Sequence, residues 1–205
     1  MNYFVTAIGT DSGKTVVSAV LCEALKAGYW KPIQAGEPRD SELIKELVSD
    51  KTIKIHPEKY LLTQPASPHA AARHDGIKIS LSGFSSPWSE GNLIIEGAGG
   101  ILVPLNDQDL VIDLVKQFRA KIILVCDLYL GSINHSLLTI EALKSRNLDV
   151  KGIVFNGFNR QPFEMESMEI ILHKSGFKKL LVMNKESKIT PDLIKSWAKQ
   201  ILETL

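Results

Sequence analysis

Short apolar runs alternate with amphipathic stretches along most of the chain. The runs are rich in Val, Ile and Leu and are short enough to be buried strands. The stretches between them place apolar residues on one helical face, as Val16, Val17, Val20 and Leu21 do. The predicted strands are residues 3–8, 29–33, 92–96, 121–126, 150–156 and 180–183. The predicted helices are residues 14–26, a helix through Leu43, Ile44, Leu47 and Val48 that Asp40 caps, and residues 110–118, 136–145, 163–174 and 191–202.

Continuous β-branched runs that alternate with helices favour a parallel sheet covered on both faces. We therefore expect an α/β fold with a mostly parallel central sheet between two layers of helices. Residues 49–87 are less regular and hold many of the prolines, so we treat them as a long excursion from the fold. The 205 residues are enough for one domain with a sizeable core, and we expect a single domain over 1–205.

Composition narrows the classes of function. The formal net charge is only +1, which argues against general binding of nucleic acid or of an anionic membrane. Cys22 and Cys126 both lie in apolar runs and form no CxxC pair, so we expect free thiols in a reducing compartment. No apolar run approaches the roughly 18 residues that cross a bilayer, and the N-terminus has no signal-peptide pattern. A cytoplasmic protein is the simplest interpretation.

The strongest local motif is VTAIGTDSGKTVVS near the N-terminus. A predicted strand enters a glycine-containing loop, and Gly13-Lys14-Thr15 opens a helix, which is the arrangement of a phosphate-binding loop. Lys14 would reach the β- and γ-phosphates and the Thr15 hydroxyl would bind Mg²⁺. The strict GxxxxGK[ST] pattern is not met, because Ile8 stands at its first glycine. The motif predicts a P-loop NTPase-type three-layer fold.

Acidic residues and a second lysine accompany this loop. In LIIEGAGG, Glu96 ends a buried strand, where a phosphate-loop protein places a carboxylate near Mg²⁺. Asp40 is either a helix N-cap or a second Mg²⁺ ligand. Lys31 is either a solvated strand end or a cation that neutralises a transferring group. The five histidines show no metal-ligand spacing.

Five ordered stretches resemble the dethiobiotin synthetase family: GTDSGKT, KPIQAG, SPH, EGAGG followed by VPL, and GSINH, with a late FNG. They extend from residue 5 to about residue 157. The resemblance implies that 7,8-diaminononanoate reacts with CO₂ to a carbamate, that ATP phosphorylates the carbamate, and that the second amine closes the ureido ring of dethiobiotin. ADP and phosphate are released, and biotin synthesis is the pathway.

The resemblance also implies roles for individual residues, for Mg²⁺ as cofactor and for a homodimer. Lys31, Lys14 and Thr10 would be catalytic, and Thr15, Asp40 and Glu96 would hold Mg²⁺. Asn156 would read the adenine. A helix start would receive the substrate carboxylate from the neighbouring subunit, which suits its free N–H groups and dipole. The implied nucleotide-binding residues are Thr10, Asp11, Ser12, Gly13, Lys14, Thr15, Val16, Glu96, Gly97, Ala98, Gly99 and Asn156. The implied substrate-binding residues are Lys31, Gly131, Ser132, Ile133 and Asn134.

Other phosphate-loop proteins remain as alternatives. A partitioning- or targeting-type regulatory ATPase carries an early loop lysine, and Gly9 stands there instead. A small-molecule kinase would have an arginine-rich lid, but the five arginines are scattered. An amidoligase would need a glutaminase partner domain with a nucleophilic Cys, and neither Cys has that setting. The chain also departs from the family at Ala7 and Ala35, and its late segment MNKESK lacks the usual Gly-x-Pro. We expect ATP to be preferred nonetheless.

Overall fold

The computed structural model describes residues 1–205 and contains two parallel sheets. The strands are β1 (Asn2–Ala7), β2 (Gly28–Trp30), β3 (Ile33–Ala35), β4 (Ile55–His56), β5 (Tyr60–Leu62), β6 (Leu93–Gly100), β7 (Lys121–Asp127), β8 (Val150–Phe158) and β9 (Lys179–Asn184). The helices are α1 (Lys14–Leu25), α2 (Asp40–Leu47), α3 (Pro68–His74), α4 (Val111–Phe118), α5 (Ser132–Lys144), α6 (Pro162–Ser175) and α7 (Pro191–Leu202), with a 3₁₀ turn at Leu81–Gly83.

The main sheet has seven parallel strands in the order β4-β2-β6-β1-β7-β8-β9. Successive side chains of one strand point to opposite faces of the sheet, so they belong to different apolar clusters. Phe4 of β1 packs with α4 and α5, whereas Tyr3 and Val5 pack with α1 and α7. The two apolar clusters therefore lie on opposite faces of the sheet. The predicted α/β fold, a mostly parallel sheet with helices on both faces, is confirmed.

The second sheet corrects one predicted strand. Residues 29–33 were expected as a single strand, but β2 ends at Trp30 and β3 begins at Ile33. Pro32 has no N–H for the main ladder, and its carbonyl instead accepts from the N–H groups of Lys59 and Tyr60. The chain therefore leaves the main sheet at Lys31, and β3 pairs with β5.

Two further expectations need correction. Asp40 does not cap α2, because it is the first helical residue and Arg39 holds the cap position without a side-chain bond. Residues 49–87 are less irregular than expected. They contain β4 at the edge of the main sheet, β5 in the second sheet and α3. No helix is both long and apolar enough to cross a membrane.

Candidate active site

The loop between β1 and α1 turns through left-handed backbone. Gly13 has φ +90° and Asp11 has φ +57°, a region that costs residues with a Cβ about 1–2 kcal/mol. Helix α1 begins immediately afterwards at Lys14, and no side chain caps its first N–H groups. Unpaired N–H groups at a helix start, together with the helix dipole, form a site for an anion such as phosphate.

Lys14 lies folded over this loop and is only 7% exposed. Its Nζ donates to the Gly9 carbonyl at 3.0 Å. Burial lowers the pKa of Lys14, and the charge of Lys31 lowers it further, whereas Glu96 opposes the shift. The loop therefore holds an ammonium group whose charge is costly until an anion comes close.

The Glu96 carboxylate is the centre of the polar network and is 1% exposed. Its Oε1 accepts from the Thr15 hydroxyl at 2.9 Å and from Lys31 Nζ at 3.2 Å. Its Oε2 accepts from the Tyr29 hydroxyl at 2.9 Å. Lys31 also pairs with Asp40, so one ammonium group joins the two carboxylates.

Gln34 organises the segment that carries Asp40. Its Nε2 donates to the carbonyls of Gly36 at 2.9 Å and Pro38 at 3.3 Å, and its Oε1 accepts from the Asp40 N–H at 3.3 Å. The side chain is nearly buried. It therefore joins both ends of the turn and fixes the start of α2 beside Lys31.

These groups face one cleft of about 730 Å³. It contains most of the residues that the sequence predicted for the site: Thr10, Asp11, Gly13, Lys14, Thr15, Val16, Lys31, Asp40, Glu96, Ala98 and Gly99. Of the residues predicted in the phosphate loop and in β6, two do not line the cleft. The Ser12 hydroxyl bonds the Gly9 and Thr10 carbonyls within the loop, and Gly97 packs against the Phe4 ring.

Asn156 reaches the loop from the end of β8. Its Nδ2 donates to the Ser12 carbonyl at 3.1 Å. The side chain lies so close to Gly13 that a Cβ on Gly13 would come within 2.4 Å of Nδ2. Asn156 therefore supports the phosphate loop, while adenine recognition by this residue stays a prediction.

The start of α5 is not part of this cleft. Gly131, Ile133 and Asn134 line a separate groove of about 670 Å³ between α5 and α6, and Ser132 is 1% exposed. Leu130, at the mouth of the groove, is 93% exposed. Within one chain, the residues predicted to bind the substrate carboxylate are thus apart from the predicted catalytic lysines.

The donor set beside Thr15 is compatible with Mg²⁺. Asp40 and Glu96 offer hard oxygen ligands, and the ammonium of Lys31 shows that the two carboxylates together attract a cation. No group of three His, Cys, Asp or Glu side chains forms a self-sufficient metal cage. A Mg²⁺ ion here would need phosphate oxygens and water as further ligands, as is usual for nucleotide-bound Mg²⁺.

Several residues of the site were not predicted. Tyr29 sits in a buried strand, where the apolar pattern assigns an aromatic residue to the core, so no sequence signal pointed to its contact with Glu96. Gln34 lies within KPIQAG, but the motif predicts no role for it. The remaining wall of the cleft is formed by Ile33, Ala35, Leu43, Pro65, Ala66, Ser67, Pro68 and Val103. Of these, Ile33 and Ala35 belong to KPIQAG, Ser67 and Pro68 to SPH, and Val103 to VPL, whereas the remaining three belong to no motif of the family resemblance.

Comparison with solved structures shows the same fold in P-loop ATPases. A putative plasmid partition protein from Borrelia burgdorferi, bound to AMPPNP, aligns with a TM-score of 0.62 at 12% identity, covering 99% of this chain and 96% of that one. The septum site-determining protein MinD of Pyrococcus horikoshii, complexed with Mg-ADP, aligns with a TM-score of 0.60 at 12% identity, covering 99% and 95%.

Sequence comparison is more specific. Residues 1–192 match the AAA domain family. The ATP-dependent dethiobiotin synthetase of Cytophaga hutchinsonii is 55% identical over 203 residues, which is 98% of this chain and 97% of that protein. The corresponding protein of Chlamydia pneumoniae is 42% identical over 198 residues, covering 96% and 87%. The chain therefore belongs to the ATP-dependent dethiobiotin synthetase family.

Proposed function

We propose that this chain catalyses the ATP-dependent closure of a ureido ring, converting 7,8-diaminononanoate and CO₂ to dethiobiotin with release of ADP and phosphate. The observation that carries the proposal is the cleft itself, in which two buried lysines and two carboxylates meet at a phosphate loop. Family membership supports the choice of this reaction over other uses of the fold. The chain acts as one domain, in the cytoplasm.

The reaction needs positioning and charge rather than a covalent protein intermediate. One amine of the substrate adds to CO₂ and loses a proton, giving a carbamate. A carbamate oxygen then attacks the γ-phosphorus, and ADP leaves. The second amine attacks the carbonyl carbon of the mixed anhydride and expels phosphate. Lys14 and Lys31 neutralise the carbamate and the phosphoryl group in transfer, and Thr10, at the cleft, helps to position them.

Mg²⁺ is the proposed cofactor, held by Thr15, Asp40 and Glu96. When bound, it neutralises charge on the β- and γ-phosphates. The protein residues then divide the remaining work. The start of α1 binds the phosphates, and Lys31, which bonds both carboxylates, lies where it can turn from these ligands to the substrate.

The proposed preference for ATP concerns Asn156. Asn156 has one amide N–H on the Ser12 carbonyl, which leaves its second N–H and its Oδ1 for a purine edge. We propose that it contributes to adenine binding. Equal turnover with CTP or GTP would count against this role.

We further propose a homodimer in which the start of α5 in one subunit receives the substrate carboxylate of the other. The groove beside α5 is apolar and open, with Leu130 fully exposed and Phe163 45% exposed. Leu130→Asp is expected to halve the mass measured by light scattering and to raise KM for the diamine. Trp88→Asp, an exposed aromatic outside the groove, is the control and is expected to leave both unchanged.

The test of the reaction is ADP release with 7,8-diaminononanoate, bicarbonate and Mg²⁺. We expect release to require both diamine and bicarbonate, and to vanish in Lys14→Ala but persist in Lys195→Ala, which changes an exposed lysine of α7. Hydrolysis that ignores diamine and bicarbonate would refute the reaction and favour a regulatory ATPase of the partitioning type.

A further inference from the structure

The two carboxylate oxygens of Glu96 have different surroundings. Oε1 faces the cleft, where Thr15 and Lys31 donate to it at 2.9 Å and 3.2 Å. Oε2 faces the protein interior, where only the Tyr29 hydroxyl donates to it, at 2.9 Å. Since Glu96 is 1% exposed, water is not a ready substitute for either partner.

Tyr29 is suited to hold one orientation of this carboxylate. It is the central residue of β2, which is hydrogen-bonded to β6, the strand that carries Glu96. The ring is fully buried in the cluster that α1 and α2 cover, beside Cys22 and Ile44. A ring packed on all sides cannot swing away, so its hydroxyl is a fixed donor at the inner oxygen.

We propose that Tyr29 is a positioning residue for Glu96: its buried hydroxyl binds Oε2 and thereby presents Oε1 to Thr15 and to the metal–phosphate group. The inference rests on the proposed function, in which Glu96 is a Mg²⁺ ligand. Groups that hold a ligand in place are worth about 10- to 100-fold in metal affinity. Without the hydroxyl, the carboxylate is free to turn, and its inner oxygen is buried without a donor.

The experiment measures metal binding without turnover. Mn²⁺, as a probe for Mg²⁺, is titrated into protein with ADP, and the free ion is followed by electron paramagnetic resonance. ADP affinity is measured separately in EDTA. For Tyr29→Phe we expect Mn²⁺ affinity to fall about tenfold while metal-free ADP affinity stays unchanged. Tyr3→Phe is the matched control, because Tyr3 is a buried tyrosine of the same cluster without a bond to Glu96.

Glu96→Gln distinguishes the ligand role of Glu96 from the positioning role of Tyr29. Loss of Mn²⁺ affinity in Glu96→Gln with wild-type affinity in Tyr29→Phe would overturn the positioning role and leave Glu96 as a ligand. Wild-type Mn²⁺ affinity in Glu96→Gln would overturn the ligand role and, with it, the role of Tyr29. ADP release dependent on diamine and bicarbonate would still decide the reaction independently.

A double variant covers the case in which Tyr29→Phe folds but is too unstable for the metal titration. Tyr29→Phe/Glu96→Gln buries no unpaired charge and is compared with Glu96→Gln in urea unfolding. If Tyr29 acts through the carboxylate, adding Tyr29→Phe to Glu96→Gln changes the unfolding midpoint much less than adding it to the native chain. An equally large loss in both backgrounds would mean that Tyr29 is only a packing residue, and the proposal would fail.

Discussion

Gly13 and Asn156 provide a quantitative test of how the phosphate loop is built. Gly13 has φ +90°, and an added Cβ would lie 2.4 Å from Asn156 Nδ2. Gly13→Ala therefore does two things at once. It imposes left-handed backbone on a residue with a Cβ, and it displaces the amide that bonds the Ser12 carbonyl.

The expected loss of unfolding free energy is the sum of these separate costs. Left-handed backbone costs alanine about 1–2 kcal/mol. Loss of the Asn156 bond costs about 0.5–1.5 kcal/mol, and moving the side chain off its rotamer costs a similar amount. Alanine recovers about 0.4–1 kcal/mol through the unfolded chain. The free energy of unfolding should thus fall by roughly 3 kcal/mol, which corresponds to about 6–12 °C in Tm for a chain of this length.

Urea unfolding of four proteins isolates the clash: the native chain, Gly13→Ala, Asn156→Ala and the double variant. In the Asn156→Ala background, only the backbone cost remains, so Gly13→Ala should cost about 1 kcal/mol there. Gly76→Ala is the backbone control, because Gly76 has φ +67° with no atom within 4 Å of the added Cβ. An equal cost of Gly13→Ala in both backgrounds would refute the argument that Asn156 constrains the loop.

Three further predictions concern Lys14, Gln34 and Asp75. Lys14→Met should abolish ADP release without lowering stability at pH 7, because burial lowers the pKa of Lys14. Between that lowered pKa and 10.5, the unfolded chain binds more protons than the native protein, so this group makes the native protein more stable as the pH rises. The variant lacks this gain. Urea unfolding of both proteins at pH 7 and pH 10 measures the difference. Gln34→Ala loses three hydrogen bonds and should lower the free energy of unfolding in urea by roughly 2 kcal/mol. It should also raise the Mg²⁺ concentration for half-maximal turnover. Gln200→Ala, at an exposed position, should have neither effect. Hydrogen bonds from Thr63 and His74 hold the pKa of Asp75 at about 2, so its stabilising effect is complete above pH 3.8 and is lost towards pH 2; the stability difference between the native chain and Asp75→Asn should shrink across that window.

The sequence predicted those parts of the fold that depend on local pattern. Strands of the main sheet and helices on both faces were recognised because apolar periodicity and short buried runs are local signals. The break at Lys31 and Pro32 was missed, because the apolar run continues into Ile33 while the hydrogen-bond partner changes to a strand some 27 residues later. Likewise, β4 is only two residues long and pairs with β2, a strand far earlier in the chain, so its own sequence is too short to reveal the pairing.

The same distinction applies to the site. The motifs GTDSGKT, KPIQAG and EGAGG predicted most residues of the cleft. A phosphate loop needs glycine, lysine and threonine at fixed positions, which makes it visible in the sequence. Tyr29 and Gln34 were not predicted as functional. Each acts through a contact with another element or with the backbone of a turn, and neither contact leaves a pattern in the sequence. Asp40 is intermediate: the sequence predicts its helix and offers it as an N-cap or a Mg²⁺ ligand, the N-cap role is wrong, and the pair with Lys31 was not predicted.

The cleft combines features that would be unfavourable for stability alone. Burial lowers the pKa of Lys14, and the charge of nearby Lys31 lowers it further. The charges of Glu96 and Asp11 oppose this shift. Glu96 nevertheless bonds Lys31 and not Lys14, whose only hydrogen bond is to a neutral carbonyl. An anion between the lysines would relieve more unfavourable energy than the same anion beside an exposed lysine, because burial makes each charge–charge interaction stronger. The arrangement thus exchanges stability for affinity towards a transferring phosphoryl group, which is why removal of Lys14 should abolish turnover and leave the fold at least as stable.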